Sequence, residues 1–160
     1  MKIAISLVIL ATGGAERFAS TLANYLTENG DEVFIICSYK EPSFHYKLDE
    51  RIRVFEIFPK ERYKNGIIHY FGTINRMLIV RKLIKEIKPD ILFSFYSNNS
   101  AQDILSTIGL NTPVVIGERD AFFMNGGKRS KFIRNITYRL AGGFVYQTTL
   151  AKEILEDRKS

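Results

Sequence analysis

A chain of 160 residues that is 46% hydrophobic and 25% charged has the size and balance of one soluble globular domain with a full core. Lys and Arg number 23 against 17 Asp and Glu, and the formal charge of +6 favours phosphorylated ligands, anionic membranes or nucleic acid as partners. The single cysteine, Cys37, lies in an apolar run, which excludes a disulfide framework and a cysteine-based metal site.

Residues 2–11 carry the charge and apolar run of a secretory leader, but they lead without a spacer into an amphipathic helix. Their Ile and Val content is that of a core strand. The reading is a strand over 3–8, a turn closing on Gly13 and Gly14, and a helix over about 15–29. Phe18, Ala19, Leu22, Ala23 and Leu26 line one face of that helix, and Asn29-Gly30 stops it. The unbroken apolar run 33–37 predicts a parallel strand covered on both faces. Residues 38–51 read as loop, and 52–58 as a third strand.

A long helix is predicted over 68–87, with Ile74, Leu78, Ile84 and Ile87 inward and Arg76, Arg81, Lys82, Lys85 and Lys88 outward. Pro89 ends it. A fourth strand follows over 90–95, and Ser97, Asn98 and Asn99 offer caps for a helix ending near Gly109. Strand five is expected over 113–117, with Glu118 and Arg119 at its carboxyl end. A loop at Gly126-Gly127, a basic helix over 128–141, a strand over 143–147 and a helix over 150–157 complete the chain.

Strand and helix alternate with room for right-handed crossovers. The expected fold is α/β: a doubly wound, mainly parallel Rossmann-like sheet with helices on both faces. Ligands of such sheets bind beyond the carboxyl ends of the strands, which here means Gly13, Gly14, Ser97, Asn98, Glu118, Arg119 and Gln147. A strand, a Gly-Gly turn and a helix N-terminus suit an anion. The dinucleotide fingerprint is missing, since the turn reads T-G-G-A-E and strand two ends without an acid at its tip. His45 and His69 stand apart, so no histidine metal site is expected, and no nucleophile triad can be assembled.

Gly13-Gly14-Ala15-Glu16-Arg17, the following A-x-x-L-A-x-x-L and Gly30-x-x-Val33 together resemble the N-terminal domain of GT-B fold, family-4-type glycosyltransferases. Lys88-Pro89-Asp90-Ile91-Leu92, then Gly117-Glu118-Arg119, then Tyr138-Arg139-Leu140-Ala141 with Val145-Tyr146-Gln147-Thr148, resemble later family segments in the same order. The resemblance implies a retaining glycosyltransferase acting in polysaccharide or cell-surface glycan biosynthesis. Its N-terminal half binds a glycan or polyprenyl-diphosphate-linked acceptor, and a second domain binds the nucleotide sugar. It implies no metal and no cofactor besides that co-substrate. Gly13 and Gly14 would approach the donor diphosphate, Glu16, Ser97 and Asn98 would lie on the acceptor side, and Glu118 and Arg119 would serve the chemistry.

Two family features are missing from the sequence. Neither histidine stands where many relatives have one, and no two glutamates have the spacing of the family's donor-site pair. The expectation is therefore one Rossmann-like domain over 1–160 without the donor-binding domain, inactive alone. Basic clusters at Lys60, Arg62 and Lys64 and at Lys128, Arg129, Lys131, Arg134 and Arg139, interleaved with aromatic and apolar residues, suit peripheral contact with an anionic membrane from the cytoplasm. The rival expectation is a stand-alone basic α/β module binding nucleotide, nucleic acid or anionic membrane. No helix-turn-helix, zinc-finger or RNP-like pattern supports nucleic acid.

Overall fold

The computed structural model describes residues 1–40, 44–58, 66–118 and 136–146. Its elements are β1 (Lys2–Leu7), α1 (Gly14–Glu28), β2 (Glu32–Tyr39), β3 (Arg53–Phe58), α2 (Gly66–Ile87), β4 (Ile91–Phe95), α3 (Ser97–Thr107), β5 (Val114–Glu118) and β6 (Gly143–Tyr146). All strand pairs are parallel, and the sheet order is β3-β2-β1-β4-β5-β6. The chain thus starts in the middle, winds to one edge, returns beside β1 and winds to the other edge. This is the expected doubly wound Rossmann-like sheet, and its direction reverses between β1 and β4.

The two faces follow from the period of two along each strand. Ile3, Ile5, Leu7, Val33, Ile35 and Cys37 meet α1 through Ala19 and Ala23, with Phe18, Leu22 and Leu26 at the margin. Ala4, Phe34, Ile36, Leu92 and Ile116 meet Val80, Ile84 and Ile87 of α2 and Ile104 of α3. β1 is buried along all but its first residue, which is why its sequence is apolar without alternation. Asn29 caps α1, and Gly30 at φ +90° takes the left-handed turn beyond it.

α2 is rolled relative to the sequence expectation. Ile74 and Leu78 are 56% and 62% exposed, whereas Arg76 is only 4% exposed. The inward line is Arg76, Val80, Ile84 and Ile87, so the last two fall where expected and the first two do not. The segment has apolar residues on every side, so its periodicity selects no face. The choice is made by a partner distant in sequence: Asp103 of α3 takes the Arg76 guanidinium at 2.8 Å. Arg81 also turns toward α3, donating to the carbonyls of Ser106 and Ile108 at 2.8 Å each. The expected loop at Gly126-Gly127, both basic clusters save Arg139, the terminal helix and Gln147 lie outside the described residues; of the basic helix, 136–138 are helical.

Candidate functional site

The corner after β1 is shaped by one carboxylate. Gly13 is the N-cap of α1 in extended backbone and carries no side-chain cap. Glu16, in the first helical turn, is where a negative charge complements the helix N-terminus. Its side chain folds back and is buried, 6% exposed. A Cβ on Gly13 would lie 2.1 Å from Glu16 Oε2, whereas nothing lies within 4 Å of a Cβ on Gly14. Gly13 therefore makes room for the chain's own carboxylate, and Gly14 faces open space. The Tyr46 hydroxyl braces the turn by donating to the Gly13 carbonyl at 3.2 Å. His45 packs edge-on against the Tyr46 ring, with centroids 5.0 Å apart.

Tyr96 joins β4 to α3 at φ +71°, a left-handed conformation that is costly for a side chain of this size. It stands at the N-cap of α3 without a side-chain cap; Asn99, one of the expected caps, bonds Ser6 and Ser38 instead, and the side chains of Ser97 and Asn98 are not among those described. Its hydroxyl donates to Glu16 Oε1 at 2.6 Å. The bond crosses the crevice between β1 and β4, where the sheet changes direction. Ser97 and Asn98 open α3, and Glu118 closes β5 next to β4. Arg119 lies outside the described residues. The residues expected at the strand ends thus gather on one rim, apart from those undescribed.

Sequence reasoning missed what lies beneath that rim. Ser6, Ser38 and Ser94 are the penultimate residues of β1, β2 and β4, and all are buried on the α2–α3 side. Arg76 donates from Nε to Ser38 Oγ at 2.6 Å and from Nη2 to Ser6 Oγ at 3.1 Å and Asp103 Oδ1 at 2.8 Å. Its Nη1 reaches Gln102 Oε1 at 3.3 Å. Ser94 donates to the other Asp103 oxygen at 2.6 Å. Asn99 closes the network, donating to Ser6 at 3.0 Å and accepting from Ser38 at 3.2 Å. Serines two residues beyond the apolar Ala4, Ile36 and Leu92 were the available signal, since each interrupts an apolar stripe near the carboxyl end of its strand.

Comparison with known proteins assigns the chain to a family. The model of Glycosyltransferase Family 4 matches residues 12–159. The chain belongs to glycosyltransferase family 4. It is 32% identical over 140 residues to the GalNAc-alpha-(1->4)-GalNAc-alpha-(1->3)-diNAcBac-PP-undecaprenol alpha-1,4-N-acetyl-D-galactosaminyltransferase of Campylobacter jejuni. That alignment covers 86% of this chain and 38% of the relative, so the chain spans less than half of the curated relative's length. Among solved structures, sucrose-phosphate synthase from Thermosynechococcus elongatus superposes with a TM-score of 0.75 at 9% identity, over 98% of this chain and 44% of that one. The lipopolysaccharide outer core galactosyltransferase WaaB gives 0.67 at 17% identity, over 100% of this chain and 43% of that one. The UDP-GlcNAc 2-epimerase of Neisseria meningitidis also gives 0.67, at 14% identity, over 100% and 43% of the two chains. At these identities the structural likeness establishes the fold alone. This family 4 domain has, among its described residues, no group of three side chains suited to a metal. No helix among them is long and apolar enough to cross a membrane.

Proposed function

We propose that this chain is the acceptor-binding half of a retaining glycosyltransferase that moves a sugar from a nucleotide-sugar donor to a glycan or lipid-linked acceptor. The observation that carries the reading is the rim itself, where the Gly13–Gly14 turn, Glu16, the start of α3 and the end of β5 meet at the switch point of a family 4 domain. The Campylobacter relative is named for an acceptor on undecaprenol diphosphate, which supports a polyprenyl-diphosphate-linked acceptor here. Such an acceptor is held in a bilayer, so the domain would work at the cytoplasmic face and touch the membrane peripherally through its basic clusters.

In this reading Gly14 offers the donor diphosphate close access to the opening of α1, with Gly13 as its neighbour in the turn. Glu16, Ser97 and Asn98 bound the acceptor side. Glu118, the last residue of β5, and Arg119, next in sequence, act on the reacting groups: a guanidinium there neutralises the departing diphosphate, and a carboxylate orients the acceptor hydroxyl. The nucleotide sugar is the only co-substrate and no metal takes part. The donor-binding half is supplied by a second domain, and the chain alone turns over no sugar nucleotide.

The test is sugar transfer by the chain joined to a family donor-binding domain, using a panel of UDP-sugars and a polyprenyl-diphosphate-linked N-acetylgalactosamine acceptor. Transfer that survives chelation of divalent metal, retains the anomeric configuration and falls about 100-fold in kcat in Glu118→Gln and Arg119→Ala is the expected result. Absence of transfer from every donor, or turnover by the 160-residue chain alone, would overturn the reading.

A further inference from the structure

The Arg76–Asp103 pair is expensive where it lies. Its side chains are 5% and 0% exposed, and two charges so far from water cost several kcal/mol before their attraction offsets the loss. Apolar residues of similar volume commonly stabilise a core as well or better. The pair is therefore a poor explanation of stability, and what it touches suggests another use. Through Ser6, Ser38 and Ser94 it reaches the carboxyl ends of three adjacent strands. Through Asp103, Gln102 and Asn99 it reaches two successive turns of α3, including that helix's first turn. The residue just before that turn is Tyr96, held at positive φ and bonded to Glu16.

We propose that Arg76 is a positioning residue: the hub around it fixes the start of α3 to the ends of β1, β2 and β4, and so sets where Tyr96 holds Glu16 beside the Gly13–Gly14 turn. The inference rests on the glycosyltransferase reading for its functional part, since Arg76 itself is buried from any substrate. Asn99 is the link. Its amide bonds Ser6 of β1 and Ser38 of β2 at once, so the first turn of α3 cannot slide along the sheet without breaking both. Asp103, one turn further on, is clamped between Arg76 and Ser94. Two points one turn apart fix both the height and the rotation of the helix. With the helix so held, the left-handed backbone at Tyr96 is over-determined by its surroundings, as a strained residue must be to persist.

Amide hydrogen exchange on the intact chain tests the brace without any substrate. The variants are Arg76→Met combined with Asp103→Leu, which removes the charges but keeps the volume, and Arg76→Lys, which keeps a charge but loses the fork. In the folded double variant, exchange at the Ser100 amide, bonded to the Tyr96 carbonyl at 2.9 Å, is expected to rise about ten-fold while the β1 and β2 amides stay as slow as before. Arg76→Lys is expected to show the same change more weakly. In the chain joined to its donor-binding domain, the acceptor KM is expected to rise about ten-fold with the donor KM unmoved. Wild-type protection at Ser100 in a folded variant would overturn the brace. Global unfolding of both variants would assign the hub to core stability and overturn it equally. Lost protection with an unchanged acceptor KM would refute the role in transfer alone, and failure of the wild type to transfer sugar would refute only the reading on which that role rests.

Discussion

The Tyr96 hydroxyl lies 2.6 Å from Glu16 Oε1, and this bond ties the helix after β1 to the residue after β4 across the place where the sheet reverses. A phenol donating to a buried carboxylate is a charge-assisted bond, stronger than a neutral one. It also satisfies part of a charge for which the described residues show no ion pair. Tyr96→Phe removes the donor and leaves the carboxylate short of a partner, an expected loss of about 1.5–3 kcal/mol in urea unfolding. Glu16→Gln keeps an accepting oxygen and should cost less. The double variant should fall short of the sum, because both substitutions break the same bond.

Gly13 and Gly14 are expected to respond in opposite ways to alanine. At Gly13 the new Cβ meets Glu16 Oε2 at 2.1 Å, so the carboxylate must leave and the Tyr96 bond breaks with it; a cost of about 1–3 kcal/mol is expected. At Gly14 the methyl enters open space at the head of a helix, and stability should hold or rise by up to about 1 kcal/mol. If that space receives the donor diphosphate, Gly14→Ala joined to a donor domain loses turnover while melting no earlier. Thermal melts of the two variants, compared with sugar transfer, separate the roles.

The roll of α2 is checked by substitutions on both of its faces. Ile84, 1% exposed, should cost about 2–5 kcal/mol when cut to alanine. Leu78, although equally apolar in sequence, is 62% exposed, and its alanine variant should stay within about 0.5 kcal/mol of the parent. A reversal of that order in denaturant unfolding would restore the face that periodicity suggested.

Cys37 is fully enclosed between the sheet and α1, and burial pushes its thiol up to about 12. A raised folded value means the native state keeps its proton where the unfolded chain loses it. The contribution is whole below the ordinary value near 9 and drains away as pH climbs from about 9 to about 12. Stability in that window should fall by up to about 1.4 kcal/mol per pH unit more in the parent than in Cys37→Ala. At neutral pH the native thiol should resist alkylation that the unfolded chain undergoes readily.

Much of this architecture was legible in the sequence. The apolar runs of β1 and β2, the Asn29-Gly30 stop and the Lys88-Pro89 break are local signals, and each names its element without help from the rest of the chain. The ordered family segments named the family that the match over residues 12–159 bears out. What stayed hidden depends on pairs far apart: Arg76 with Asp103, Tyr96 with Glu16, 80 residues apart, and Asn99 with Ser6, 93 apart. A charged residue in a helix with apolar neighbours on all sides reads as solvent-facing until its buried partner is known. Asn99 reads as a cap for the same reason, because its true acceptor and donor belong to strands it has not yet met.

The serines at the tips of β1, β2 and β4 have a consequence for how the chain finds its alignment. Parallel neighbours have no tight hairpin to dictate which residue faces which, and a shift of one position would turn every side chain to the opposite face. Such a slip in β1 would carry Ser6 to the α1 face, among Phe95, Ala19 and Cys37, and take one hydroxyl from Arg76. Misthreading of β1, β2 or β4 is thereby penalised strand by strand, and hydroxyls that look like flaws in an oily core work as a vernier for the three neighbours that carry them.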